Sequence, residues 1–336
     1  MAAAVADFVQ QELCTGYPGP KVATAERQIA ALAGRSMAIA TCSGTAALEL
    51  ALRSAGIHSG DIVLLSAYDY PGNFRCVEAT GAIPRAVDVM PGRWDLSVTA
   101  IEKQLAPNVR AIVASHLHGL TPDLIALSSL SSQRGLLLIE DACQGIGGSL
   151  AGVACGGLAD VSIFSFGGSK LVTTGNGGAI LTDNPRLAQK VRTWNERPGP
   201  TFSLSEIAAV MIPPQINVLA AAHQRRRLAV RRLREVIDRI SGWKLPELLD
   251  RDDDAADYKF AWMVPPELRN DLLERAANQG LPLGAGFNVF RRIAVDGAEQ
   301  AMAIARSIVL LDHRAFSGNE ASLNELLQRI ERLGAC

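Results

Sequence analysis

The chain reads as an α/β protein built on a mainly parallel sheet with helices on both faces. Three observations predict this. Short apolar runs of strand length recur through the first half of the chain, segments of helical character separate them, and small or polar residues follow the ends of several runs. The expected strands are residues 38–41, 62–66, 83–88, 111–116, 136–139 and 161–164, and a further strand returns over 179–182 before a helix that starts at Pro185. Helices fit residues 46–55, 98–104 and 124–131. Such alternation of strand and helix favours parallel pairing, because a parallel neighbour needs a crossover connection.

The pattern changes from about Asn217. Ala229, Leu233, Val236, Ile237 and Ile240 fall on one side of a long helix. Arginines at 225, 226, 227, 231, 232 and 234 crowd the same helix. They read as a solvated or subunit-facing surface, with contact to an anionic substrate group as the alternative. An acidic run over 250–254 predicts an exposed loop before a strand at 258–264. Residues 267–279 and 298–310 read as helices, with Gly280 as a stop signal. A chain of 336 residues exceeds the usual size of one core, so a large domain over 1–225 and a smaller α+β domain over 226–336 are expected.

Composition narrows the function classes. At 48% hydrophobic the chain can bury a large core, and a formal charge of -1 argues against a nucleic-acid partner. Cysteines at 14, 42, 76, 143, 155 and 336 form no Cys-x-x-Cys pair, which fits reduced thiols in a cytoplasmic protein. The alanine-rich start lacks the basic region and long apolar stretch of a signal peptide. The uncharged runs over 142–159 and 207–223 are broken by six glycines and by Pro213-Pro214, so no membrane-spanning helix is expected from either.

Chemistry concentrates at three turns. Ile163-Phe164-Ser165-Phe166-Gly167-Gly168-Ser169 leads from a strand into a small-residue turn that presents Lys170, and a Gly-rich return over 175–178 follows. Desolvation lowers the pKa of a lysine and frees a nucleophilic amine, so these surroundings suit a Schiff-base lysine; the alternative is a surface lysine on a loop. Glu140-Asp141-Ala142-Cys143-Gln144 sets a carboxylate at the carboxyl end of a strand, the edge at which open α/β sheets bind ligands. Ser43-Gly44-Thr45 precedes a helix and offers either a cup of free amides for a phosphate or a simple N-cap. His116-x-His118 would put two imidazoles on one face of a strand, but no third ligand is near in sequence and no metal is expected. Neither Ser43 nor Ser165 sits in Gly-x-Ser-x-Gly, so phosphate binding explains them better than hydrolysis.

Together these segments resemble the DegT-type sugar aminotransferases, a group of fold-type I enzymes that use pyridoxal 5'-phosphate (PLP). The resemblance covers about residues 16–195 and rests on Ser43-Gly44-Thr45-Ala46-Ala47-Leu48, Gly60-Asp61, His116-Leu117-His118-Gly119, Glu140-Asp141-Ala142-Cys143-Gln144 and Phe164-Ser165-Phe166 with Lys170, in the family's order and spacing. It implies that Lys170 forms the Schiff base with the cofactor and later moves the proton, while Asp141 pairs with the pyridinium nitrogen. Gln144 would lie near the phenolic oxygen, and Gly44, Thr45 and Ser165 would hold the phosphate. Counted without a gap from Gly60-Asp61 to Gly81-Ala82, the family's ring-stacking aromatic falls on Tyr70. His116 would lie beneath the site as a structural residue.

Departures from the family pattern fall on the substrate side. Where the family has an asparagine that reaches the partner's phosphate, this chain reads Met211-Ile212-Pro213-Pro214-Gln215-Ile216-Asn217, with Ile212 and Pro214 at the asparagine and arginine positions. Asn217 is the substitute considered for that role. Arg75 stands where asparagine is common, and Gly284-Ala285-Gly286-Phe287 replaces a Tyr-Pro segment. The resemblance implies an aminotransferase that cycles between PLP and its pyridoxamine form, takes nitrogen from glutamate or glutamine, and delivers it to a sugar-derived ketone, with a specialised-metabolism substrate preferred. It also implies a homodimer with shared sites, for which the apolar residues 207–222 are the expected contact. A sugar dehydratase is disfavoured because such relatives carry histidine at the Lys170 position. A catalytically silent binding or regulatory relative is the remaining alternative.

Overall fold

A computed structural model describes residues 1–11, 19–196, 199, 201–247, 254–289 and 297–334. In chain order its strands are β1 (Met37–Thr41), β2 (Ile62–Ser66), β3 (Ile83–Val87), β4 (Val109–Ser115), β5 (Leu137–Asp141), the short hairpin β6 (Ser149–Leu150) and β7 (Val153–Ala154), β8 (Val161–Ser165), β9 (Gly178–Thr182), β10 (Lys259–Met263), β11 (Leu283–Gly284) and β12 (Ile308–Asp312). Seven of them form one sheet in the order β1-β9-β8-β5-β4-β2-β3. The pairs from β3 through β8 are parallel, whereas β9 pairs antiparallel with both β8 and β1. Only β9 is therefore reversed, and the carboxyl ends of β1, β2, β4, β5 and β8 share one edge.

Strand composition explains the layering. Every residue of β2 is buried, as expected where helices cover both faces. Its alternating side chains separate two cores: Val63 and Leu65 pack with Leu48, Ala51 and Leu52 of the helix Gly44–Ser54, whereas Ile62 and Leu64 pack with Leu124 and Leu127 of the helix Leu124–Arg134. A second, antiparallel sheet of order β10-β12-β11 is covered by the helices Pro266–Asn278 and Glu320–Gly334 and by the distal part of the helix Ile212–Arg239. That helix runs unbroken across the expected boundary at 225/226. Its Ile212 and Leu219 belong to a core of the large sheet, and Ala229, Leu233, Val236 and Ile237 to the core of the small one.

Three expectations need correction. The long helix begins at Ile212, not near Asn217, because Pro213 and Pro214 occupy its first turn, where a missing N–H costs no intrahelical bond. Residues 298–310 do not form one helix: the helix Glu299–Ser307 gives way to β12. The run Ile308-Val309-Leu310-Leu311 is apolar at every position, so periodicity cannot separate helix from strand there, and pairing with β10 decides. Arg226 is not on a solvated face; it is buried and directs Nη2 to the carbonyl oxygen of Ala256 at 3.5 Å. The expected acidic loop lies outside the described residues except for Asp254. Among the described residues no helix is long and apolar enough to cross a membrane.

Candidate active site

At the carboxyl edge of the large sheet lies a cavity of about 360 Å³, within the range of small-molecule sites. Of the residues expected from sequence, Gly44, Thr45, Tyr70, Asp141, Gln144, Ser165 and Lys170 line it. Asn217 does not; it is exposed on the helix Ile212–Arg239.

Ser43 caps the helix Gly44–Ser54 by accepting a hydrogen bond from the Ala46 amide at 3.0 Å. The amides of Gly44 and Thr45 open that helix, where no intrahelical acceptor exists for them. A side chain at Gly44 would place its Cβ 2.8 Å from Cβ of Ser165, so glycine is what lets this helix start approach the end of β8. Ser165, the last residue of β8, brings its hydroxyl to the same place.

Asp141 ends β5 and is held from three directions. Its Oδ2 accepts from Asn73 Nδ2 at 2.8 Å and from Ser115 Oγ at 3.5 Å, and its Oδ1 accepts from the Cys143 amide at 3.1 Å. The sequence reading missed the second carboxylate of this cluster. Asp69 is buried beside it, accepting from Asn73 Nδ2 at 3.2 Å and from Ser115 Oγ at 2.9 Å. Burial, and then the negative charge of Asp141, push the Asp69 carboxyl up to about 8. The available signal was an acidic residue next to Tyr70 just past the carboxyl end of β2.

A consequence is a specific pH dependence of stability. With its folded pKa raised, Asp69 keeps a proton in the folded state that the unfolded chain releases at ordinary carboxylate pH, so its contribution is full in acid and is lost as pH rises through about 8. Asp69→Asn carries no such proton. Denaturation of the cofactor-free protein is expected to show that the variant reduces the loss of stability between about pH 5 and about pH 8 by about 2 kcal/mol or more. Parallel pH profiles for the two proteins would refute a neutral, buried Asp69.

Gln144 Oε1 accepts from the His118 amide at 2.9 Å, which orients the NH2 end as the remaining donor. Lys170 reaches the cavity from the turn after β8, with Nζ 5.0 Å from the centroid of the Tyr258 ring. Gln215 pins that turn, accepting from the Thr173 amide at 3.0 Å and donating to the Thr173 carbonyl at 2.7 Å. The Met211–Asn217 departure therefore supplies a clamp on the lysine loop.

The histidine pair differs from expectation. β4 stops at Ser115, and His118 adopts φ 58° in a short 3-10 turn, so the two imidazoles do not share a strand face. His116 Nε2 stands 3.0 Å from Glu140 Oε1, and both side chains are fully buried. Glu140 also accepts from the Gly156 amide at 2.7 Å, the Leu158 amide at 3.1 Å and Ser162 Oγ at 2.7 Å. His116, Glu140 and Cys155 lie close enough to share an ion, but none of them lines the cavity, and the donors already on Glu140 make the group a brace beneath the sheet edge.

His118 instead joins an aromatic wall. Its Nε2 is 2.9 Å from the Tyr68 hydroxyl, which also accepts from the Phe287 amide at 3.2 Å, and the Phe287 ring stacks on the imidazole at 5.6 Å. Burial, then the charge of Lys259, lower the His118 pKa to about 3, so the ring is neutral. Gly286 makes this approach possible: with φ +70°, it would carry a Cβ 2.3 Å from the Tyr68 hydroxyl. Phe287 and Tyr70 meet at 6.0 Å on the cavity wall. Tyr258, Lys259 and Phe287 all come from beyond residue 254; the resemblance sets the 284–287 segment on the substrate side, but nothing local in the sequence assigns Tyr258 or Lys259 to a site near Lys170.

Comparison with known proteins agrees with this arrangement. The chain is 29% identical to the L-glutamine:2-deoxy-scyllo-inosose aminotransferase of Streptomyces lividus, over 97% of this chain and 91% of that protein. A match of 37% identity to Protein MosB of Rhizobium meliloti covers 50% of this chain and 33% of that protein, so the chain spans a third of that relative's length. The crystal structure of 3-amino-5-hydroxybenzoic acid synthase superposes with a TM-score of 0.92 at 26% identity, over 99% of this chain and 96% of that one. Fold-type I architecture, PLP dependence and aminotransferase chemistry follow from these likenesses. The DegT/DnrJ/EryC1/StrS aminotransferase profile matches residues 1–296, and the chain belongs to that family.

Proposed function

We propose that the protein transfers an amino group from an amino-acid donor, glutamate or glutamine, to a ketone on a sugar-derived ring in specialised metabolism. The observation that carries this reading is the convergence of Lys170, Asp141 and the helix start at Gly44 and Thr45 on one cavity. The donor set fits PLP: free amides and a hydroxyl for a phosphate at one end, a fixed carboxylate for a ring nitrogen at the other, and an amine between them. When bound, the cofactor supplies an aldehyde that carries the amine and a ring that accepts electrons.

The chain's own residues then have distinct tasks. Gly44, Thr45 and Ser165 bind the phosphate with the help of the helix N-terminus. Asp141, held by Asn73, Ser115 and the Cys143 amide, keeps a proton on the ring nitrogen. The NH2 of Gln144 donates to the phenolic oxygen, and Tyr70 covers one face of the ring. Lys170 Nζ would carry the proton from the donor's α-carbon to the cofactor carbon that bears the amine, and in the second half-reaction would carry a proton in the opposite direction, onto the acceptor's carbon. For the acceptor, support comes from the relative whose name specifies 2-deoxy-scyllo-inosose and from the departures at 211–217 and 284–287.

In this reading two copies share their sites. Ile207 and Val218 are large apolar residues with 42% and 59% of their surface exposed, and Asn217, next to Val218 in the chain, is exposed and outside its own cavity lining, as a residue that serves a partner's site would be. Adding glutamate or glutamine to the PLP-loaded protein is expected to convert its visible absorbance, and a ring ketone should restore it. Sedimentation of the same sample should give a dimer. An unchanged spectrum with every donor would favour the silent binding protein, and a fully active monomer would remove the shared site.

A further inference from the structure

The cavity holds a second cation that the proposed chemistry does not use. Lys259, the first residue of β10, lines the cavity together with Lys170. The two ammonium groups flank one aromatic ring: Lys170 Nζ is 5.0 Å and Lys259 Nζ 5.5 Å from the Tyr258 centroid. That ring is held in place, its hydroxyl 3.1 Å from Ser169 Oγ and its plane stacked on His313 at 5.5 Å.

No carboxylate among the described residues forms an ion pair with Lys259. Its cross-strand neighbour is Asp312, but that carboxylate accepts from Arg314 Nε at 2.7 Å and from Arg314 Nη2 at 3.2 Å. Asp257, two residues earlier, is half-buried and feels Arg226 most strongly among its charged neighbours. Lys259 in turn acts on its surroundings as a positive charge: after burial it is the next cause lowering the His118 pKa, and it adds a smaller lowering at His313, behind those of Arg226 and Arg314. A half-buried ammonium on a cavity wall, without a counter-ion among the described residues, is a binding element for an anion.

We propose that Lys259 determines substrate specificity by pairing with a carboxylate on the molecule that enters this cavity. The site thus selects an acid, either the amino-acid donor or a ketone that itself carries a carboxylate. The inference rests on the aminotransferase reading for its reaction but not for its binding event. Tyr258 shields the pair from water on one side, and the Phe287 and Tyr70 rings supply apolar contact for the carbon skeleton.

Two variants test this, Lys259→Met, which keeps the length and removes the charge, and Lys259→Arg, which keeps the charge. The binding arm uses glutarate, an unreactive dicarboxylate, with its neutral diamide as control. Glutarate is expected to raise the melting temperature of the cofactor-free wild type and of Lys259→Arg, but not that of Lys259→Met, and the diamide should do nothing. In the reaction arm, Lys259→Met should raise the half-saturating concentration of the acid substrate about tenfold, the loss of one charge-assisted contact, while the rate at saturation stays within about threefold. A rise for glutamate or glutamine assigns the carboxylate to the donor. A rise confined to acid ketones, with neutral ketones unaffected, assigns it to the acceptor. Equal glutarate binding in wild type and Lys259→Met, or loss of PLP retention from Lys259→Met in place of lost acid binding, would overturn the proposal. A wild type that binds glutarate through Lys259 yet never reacts with a donor would sink the aminotransferase reading alone.

Discussion

Lys170→Ala is expected to reduce transamination by on the order of a thousandfold or more, because one amine serves both as the covalent anchor and as the proton carrier. The fold should survive. Lys170 sits half-buried on a turn whose shape is set by backbone contacts, namely the Gln215 clamp on Thr173 and the bond from the Thr174 amide to the Phe166 carbonyl at 2.9 Å. The side chain's contact is its approach to the buried Tyr258 ring, a cation–π contact of about 1 kcal/mol. The variant should therefore melt within a few degrees of wild type and still take up PLP through the phosphate cup, without the absorbance of the covalent link. Single-turnover measurement with glutamate decides the matter, and turnover within tenfold of wild type would reject Lys170 as the catalytic amine.

Asp141→Asn is expected to cost about a hundredfold or more in turnover while leaving PLP bound. The amide preserves the shape but cannot hold a proton on the ring nitrogen, so electrons leaving the donor's α-carbon lose their acceptor. The neighbouring groups sharpen the expectation. Asn73 Nδ2, Ser115 Oγ and the Cys143 amide all donate to Asp141, and an asparagine oxygen can accept from only some of them before its NH2 faces another donor. Asp69 would respond as well. Its pKa of about 8 owes its second-largest contribution to the Asp141 charge, so in Asp141→Asn the Asp69 carboxyl should ionise at lower pH and the pH profile of stability should shift with it. Activity within a few-fold of wild type would count against Asp141 as the partner of the ring nitrogen.

What could be read from sequence was what is encoded locally. The strands ending at Thr41, Asp141 and Ser165 are short apolar runs with the chemistry at or just past their ends, and a turn that presents Lys170 needs only small residues next to it. Each motif names its own place on a parallel sheet's edge, since that edge is where strands hand over to helix starts. Local patterning fails where two structures satisfy the same residues. Ile308-Val309-Leu310-Leu311 is equally a helix end or a buried strand until β10 and β11 claim it, and Pro213-Pro214 looks like a break until the chain before it is seen to turn into a helix start.

The amino-acid sequence by itself determined the α/β class, the alternation of strands and helices in the first half of the chain, and the chemistry-bearing residues at or just past the ends of β1, β5 and β8. The tertiary structure alone decided how those ends are completed. Asp69 and Asn73 come from the stretch just past β2 and Ser115 from the end of β4 to gather around Asp141, and their meaning as a two-carboxylate cluster exists only once parallel pairing sets β2, β4 and β5 in register. Tyr258, Lys259 and Phe287 come from the far part of the chain, brought to Lys170 because the helix Ile212–Arg239 joins one core to the other. Contacts of that kind depend on burial shared between distant segments, a property that no window of neighbouring residues contains.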